Sequence, residues 1–202
     1  MSNSPGEILQ PLNPADYFTL AMDDQIRLEN MPGSLCCFGI SLEKQPNIGE
    51  LTARIDEFVE RFPTSSASLQ QRGRQFFWCQ RAQANSVFFH QTCPSNEDEK
   101  VFFHNEILTL FNQKEPRELV APIQFYLLSG TDQHIFLVRW LHPFCDARGI
   151  DLIFKFLNTG TKEKRDAFDQ PKIASLTNVQ LSKFKGWKSI RLFFQANKYI
   201  DR

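Results

Sequence analysis

The stretch Val138–Leu157, VRWLHPFCDARGIDLIFKFL, decides how this chain is read. It begins inside an apolar run of strand length that starts at His134, passes through a short polar turn, and then changes period. Ile150, Ile153, Phe154 and Leu157 fall at three- and four-residue steps, which predicts an amphipathic helix from Asp146 to Leu157. His142 sits at the strand end, where a side chain emerges from a rigid base. Asp146 stands at the helix start, where a carboxylate suits the positive end of the helix dipole, and Arg148 is near enough in sequence to pair with it. A neutral imidazole held this way can remove a proton from an attacking hydroxyl, amine or thiol. On the residues alone two readings stand: a general base with a supporting acid, or a satisfied histidine beside an ordinary helix cap. Cys145 is conceivable as a nucleophile, but a buried thiol is the plainer reading.

Working outward, SGTDQ reads as a hairpin turn between strands Pro122–Leu128 and His134–Trp140. Glu97–Phe111 is a candidate helix, and Ser86–Thr92 a candidate strand. Ser65–Gln71 and Gln75–Gln80 read as two strands joined by the turn-like RGR. Ile48, Leu51, Ile55, Phe58, Val59 and Phe62 mark an amphipathic helix that Pro63 ends. Residues 34–43, SLCCFGISLE, are of strand length. Ile8–Asp24 reads as a loop and a short helix, with Asn13 as cap and Pro14 at the first helical position. Downstream, 158–175 is polar and turn-rich. In Val179–Tyr199, Leu181, Phe184, Trp187, Ile190 and Phe194 recur at helical spacing, with Lys183, Lys185, Lys188, Arg191 and Lys198 supplying charge. Such a helix can lie on an acidic membrane surface, but an apolar stripe at helical spacing more commonly faces protein. The order of elements is not the steady strand–helix alternation of a doubly wound sheet. The predicted fold is α+β, a mixed, largely antiparallel sheet flanked by helices.

Composition narrows the function. The 202 residues carry 23 basic and 23 acidic side chains, so a whole-chain nucleic-acid binder is not expected. The balance hides an asymmetry: residues 161–202 carry a net +6 and the first 160 residues a net −6, which suggests that the tail serves a different surface. Phe, at 20 copies, predicts an aromatic core. No apolar run is long enough to span a membrane, no secretory leader is visible, and five cysteines without C-x-x-C spacing point to a reducing, cytoplasmic setting. His90, His104 and His134 are scattered without ligand spacing, so no metal is expected. Glycine-rich phosphate loops and the HExxH zinc motif are absent.

LHPFCDARGIDLIFKFL resembles the HHxxxDG region of the chloramphenicol acetyltransferase-like superfamily, which includes condensation domains, wax ester synthases and acyl-CoA-dependent acyltransferases. PLNPADYFTL resembles the family's opening helix. GISLEKQPNIGELTARIDEFVERFPTSSASL resembles its strand, helix and following strand, and PIQFYLLSGTDQHIFLVRW the two strands that deliver the motif. The resemblance runs in order over residues 8–158 and implies an N-terminal acyltransferase-like lobe. Beyond it, the polar composition reads 159–178 as a linker or surface loop, and the spacing reads 179–202 as a basic amphipathic helix expected to dock on a second lobe or a subunit of a homo-oligomer. By position His142 matches the catalytic histidine, and Asp146 with Arg148 the pair that shapes its loop. Leu141 stands where a first histidine is usual, and Ala147 where a glycine is usual. The implied reaction moves an acyl group from a thioester, either acyl-CoA or a carrier-protein phosphopantetheine arm, to a small hydroxyl or amine acceptor. The thioester is a co-substrate, and no permanently bound cofactor is expected. The alternative is a lobe that kept the fold and serves as a non-catalytic binding or scaffolding module.

Overall fold

The computed structural model describes residues 6–81, 87–114 and 120–160. The expected helix at 179–202 and all of the expected linker past residue 160 lie outside the described residues. The chain opens with a four-residue strand, β1 (Ile8–Pro11), followed by α1 (Pro14–Leu28). Asn13 and Asp16 cap α1 reciprocally: the Asp16 N–H donates to the Asn13 side chain at 3.2 Å, and the Asn13 N–H donates to the Asp16 carboxylate at 3.3 Å. The cap and Pro14 fall where the sequence predicts, but the helix runs past Asp24 to Leu28 and β1 replaces the expected loop. Next come β2 (Leu35–Leu42) and α2 (Ile48–Arg61), which Asn47 caps by accepting from the Glu50 N–H at 3.1 Å.

Pro63 ends α2 as expected, but the strand predicted from Ser65 does not begin there. Residues Pro63–Ser66 form a 3-10 turn, and the strand, β3, covers Ser68–Arg72. Proline fixes the first backbone angle of that turn, and the Ser65 and Ala67 N–H groups are satisfied locally by Phe62 and Thr64 carbonyls. β4 (Gln75–Cys79) returns antiparallel to β3 across a two-residue turn, in which Gly73 has φ +63°. Then follow β5 (Phe88–Thr92), α3 (Glu99–Asn112), β6 (Ile123–Ser129), β7 (His134–Leu141) and α4 (Ala147–Asn158).

The strands form two sheets, one of three strands in the order β1-β4-β3 and one of four in the order β2-β7-β6-β5. Every pairing is antiparallel except β5 with β6. With four flanking helices, this is the mixed, largely antiparallel α+β architecture that the sequence predicts. Alternation along β6 and β7 divides the large sheet into two faces. Phe125, Phe136, Val138 and Trp140 pack under α2 and α4, against Ile55, Phe58, Ile153 and Phe156. Tyr126, Leu128 and Leu137 pack on the other side against Phe102, Phe103 and Leu110 of α3. The aromatic surplus is spent largely on the first face, where Phe58 meets Phe125, Phe156 and Phe62 at ring distances of 5.9, 5.7 and 5.1 Å. Each such ring removed from water contributes about 1.5–3 kcal/mol. A third cluster joins the small sheet to the end of the large one: Leu12 and Leu20 lie with Ala67, Leu69, Trp78 and Leu141. It brings the opening helix to the C-terminal end of β7. Among the described residues no helix is long and apolar enough to cross a membrane.

Candidate functional site

The segment that follows β7 is held by hydrogen bonds at His142, Phe144, Cys145 and Asp146. The His142 N–H donates to the Ser34 carbonyl at 3.1 Å, just before β2, and the Phe144 N–H closes a tight turn on the Leu141 carbonyl at 2.8 Å. The Trp140 indole N–H donates to the Cys145 carbonyl at 2.9 Å. Phe144 packs on both the aromatic core and the third cluster, with its ring edge-on to Trp78 at 6.2 Å. Asp146 then caps α4, its carboxylate accepting from the Gly149 N–H at 2.9 Å. On this pinned turn His142 itself is exposed, while its neighbours Leu141 and Pro143 are buried. The local sequence thus fixes the backbone of the turn and leaves the His142 ring in solvent.

Leu141 and Ala147 have plain structural reasons. Leu141 points into the third cluster and is 2 % exposed, so no polar group is called for there. Ala147 opens α4, and Asn30 is the one non-glycine with positive φ among the described residues, so Ala147 needs no special backbone freedom. The crowding falls two residues later: a Cβ on Gly149 would come within 2.7 Å of the Cys145 Cβ. The Asp146–Arg148 pair expected from the sequence is not formed. Both side chains are exposed and no ion pair joins them among the described residues, because the Asp146 carboxylate is directed at a backbone amide. Burial pushes the Cys145 thiol up to about 12, with the Asp146 charge adding to the rise, and this leaves it without nucleophilic thiolate near neutral pH. Cys145, read from the sequence as a buried thiol, is only partly buried, as are Cys36, Cys37 and Cys93, while Cys79 is buried.

Two residues of α1 that sequence reasoning passed over belong to this neighbourhood. Asp23 is 1 % exposed and accepts from the Ser34 N–H at 2.6 Å, from the Ser34 hydroxyl at 3.2 Å and from Arg27 Nε at 2.7 Å. Asp23 therefore fixes Ser34, the residue whose carbonyl holds His142. Asp16, half-buried in the first turn, has a carboxyl raised above the ordinary aspartate value by burial; the Asn13 hydrogen bonds and the charge of His142 act in the opposite direction. A capping box at Asn13–Asp16 and an i,i+4 pair at Asp23–Arg27 are both legible in sequence, but neither spacing tells that His142 is near. Elsewhere, a cavity of about 610 Å³ opens on the α3 side of the sheet, lined by Phe89, Gln91, Gln113, Gln124 and Tyr126 among others; His142, Asp146 and Arg148 take no part in it.

This fold has solved counterparts. The starter condensation domain of rhizomide synthetase RzmA, in a mutant form in complex with C8-CoA, superposes with a TM-score of 0.62 at 14% identity over 72% of this chain and 33% of that chain. A mutant complex with C8-CoA and Leu-SNAC gives 0.62 at 13% over 72% and 33%, and the domain crystallised without mutation gives 0.59 at 11% over 77% and 38%. The chain shares the α+β fold of part of these condensation domains, the chloramphenicol acetyltransferase-like fold that its sequence predicts. It spans about a third of the length of the condensation-domain chains it matches. No protein-family profile and no curated protein matches the sequence.

Proposed function

We propose that this lobe takes part in acyl transfer from a thioester to a hydroxyl or amine, with His142 as general base. The carrying observation is the placement of His142: an exposed ring on a turn fixed by the Ser34 carbonyl and the α4 cap, within a condensation-domain fold. The imidazole takes the proton of the acceptor O–H or N–H as the acceptor atom attacks the thioester carbonyl carbon. The new C–O or C–N bond forms, the C–S bond breaks, and the imidazolium returns its proton to the departing sulfur, giving a free thiol. Acyl-CoA is the favoured donor class, since the condensation domain of similar fold was crystallised with C8-CoA, and a phosphopantetheine arm on a carrier protein presents the same chemistry. The acceptor class is a small amine or alcohol, in line with the Leu-SNAC complex of that domain. In this reading Asp146 supports the site by capping α4, and Arg148 stands exposed in the first turn of that helix.

A second lobe, on another chain segment or subunit, completes the enclosure in this reading. Phe18, Met22, Leu28 and Met31 lie exposed along and just beyond α1, apolar surface of the kind that partners cover. The rival reading, a binding or scaffolding lobe without catalysis, is favoured by the third-length span and by the buried leucine beside His142. The test is transfer from C8-CoA to a panel of amines and alcohols. His142→Ala is expected to reduce the rate by about 10²–10⁴-fold while melting stays unchanged, because the ring is exposed. An unchanged rate in that variant removes His142 from the chemistry. CoA binding without any transfer supports the scaffolding reading.

A further inference from the structure

The cavity of about 610 Å³ on the α3 side of the large sheet has a built polar floor. Strand alternation puts Gln124 and Tyr126 of β6 on that face, and the register sets Arg139 of β7 opposite Gln124 and Phe89 of β5 opposite Tyr126. Gln124 is 9 % exposed, and its oxygen is taken twice: Arg139 Nη1 donates to Oε1 at 3.1 Å and the Tyr126 hydroxyl at 3.2 Å. A guanidinium carries donors only, so it fixes which end of the amide faces it. The Nε2 end, with two N–H groups, is therefore turned away from Arg139; it has no acceptor among the described residues and is reached from the cavity that Gln124 lines. Arg139 is 1 % exposed, so its charge polarises the amide with little solvent between them and makes those N–H groups stronger donors. A donor on a side chain nine-tenths buried costs the fold free energy unless an acceptor meets it.

The walls define the acceptor. Phe89 and Tyr126 stack with ring centroids 5.0 Å apart and planes 20° apart, and Phe89 is 36 % exposed, so the cavity has a flat aromatic side. From α3 come the Glu106 carboxylate and Asn112, whose Nδ2 is tied to the Leu108 carbonyl at 2.8 Å and whose oxygen is left to accept. We propose that this cavity binds a flat, uncharged amino-heteroaromatic ring, the pattern of an adenine or cytosine base. The ring lies against Phe89, its edge nitrogen or carbonyl accepts from Gln124 Nε2, and its amino group donates to the acceptors on α3. Glu106 disfavours an anion, and a wholly apolar ring leaves the Gln124 N–H groups unanswered. The volume suits a nucleoside, since small-molecule pockets run from about 300 to 1,000 Å³. His142, Asp146 and Arg148 take no part, so the site stands apart from the acyl-transfer reading.

The test titrates the full chain with adenosine, with cytidine and with benzyl alcohol, a flat ring without heteroatoms. Nitrogen NMR follows the Gln124 side-chain amide, and calorimetry gives the affinity. Both nucleosides are expected to bind and to shift the Gln124 signals, and benzyl alcohol to leave them in place. Gln124→Glu keeps an oxygen for Arg139 and Tyr126 but replaces the donor by a second acceptor. It is expected to melt no lower than wild type and to weaken adenosine binding about ten- to hundredfold. Phe89→Ala, at an exposed position, is expected to weaken it roughly five- to hundredfold through lost stacking. AMP separates the sources of the base: adenosine binding more tightly than AMP assigns a free nucleoside, AMP binding more tightly assigns a nucleotide, and either upholds the base site. Gln124 signals unmoved by millimolar nucleoside, an equal response to benzyl alcohol, or undiminished binding in Gln124→Glu overturns the proposal.

Discussion

The first and last described helices, α1 and α4, flank the same histidine and solve opposite problems. α4 is built for stability: Asp146 caps it, and Ile150, Ile153, Phe156 and Leu157 bury one continuous side on the sheet. α1 buries an aspartate at the centre of its packed side, half-buries another in its first turn, and leaves Phe18 and Leu28 65 % and 78 % exposed. A helix selected for stability alone places leucine where Asp23 lies. The difference teaches that α4 supplies the platform on which the His142 turn rests, whereas α1 supplies the buried carboxylate that holds Ser34, the residue to which the His142 N–H is bonded.

That contrast can be broken by substitution. The largest stability loss is expected from Phe156→Ala, about 3–5 kcal/mol, because a ring 1 % exposed leaves a cavity between α2 and the sheet. Denaturant unfolding measures it, and a loss below 1 kcal/mol would show that α4 is not the platform. Asp23→Ala comes next, at about 1–3 kcal/mol, since the Ser34 N–H and Arg27 lose a buried acceptor. Its distinguishing sign is faster amide exchange at His142; unchanged exchange there would separate Asp23 from the site. Asp146→Ala is expected to cost about 1 kcal/mol, and Asp146→Asn only a few tenths, because the cap is a hydrogen bond to the Gly149 amide and asparagine supplies the same oxygen. Equal losses in the two variants would show that the charge of Asp146 matters in its own right.

The smallest effect has the opposite sign. The carboxyl of Asp16 is raised on folding, so its contribution to stability is fully present below the ordinary aspartate value of 3.8 and is lost as pH rises through the higher folded value. Asp16→Asn should therefore melt at or above wild type at pH 7, the difference shrinking to nothing as pH falls through that window. A variant less stable than wild type at neutral pH would make Asp16 an ordinary cap and erase the contrast between the helices.

Legibility in the sequence followed the range of the interactions. α2, α4 and the β6–β7 hairpin were readable because each announces itself locally, by an apolar stripe at helical spacing, an Asn or Asp cap, or a polar turn between apolar runs. β1 was not, because four residues ending in proline carry no alternation, and the strand exists only through its pairing with β4. The far end of α1 was obscured by Asp23, which interrupts the apolar pattern for a reason that lies in β2's first approach. His142 and Asp146 could be singled out from one short motif. The real service of Asp146, a cap and not an ion pair, depended on where its oxygen points, and the nearness of α1 to the His142 turn depended on how the third hydrophobic cluster closes.

The register that sets Leu35 opposite Leu141 also orders events in time. β6 and β7 meet across a four-residue turn and can pair quickly. β2 must find β7 across roughly a hundred intervening residues, the slow kind of closure that dominates folding rates. Because a ribosome releases the chain from its N-terminus, α1 and β2 wait for a partner strand that is synthesised much later. The hydrogen bond from His142 to Ser34 lies at the end of that long-range pairing, so the turn after β7 gains this anchor only once β2 and β7 have met, and the β6–β7 hairpin alone lacks it.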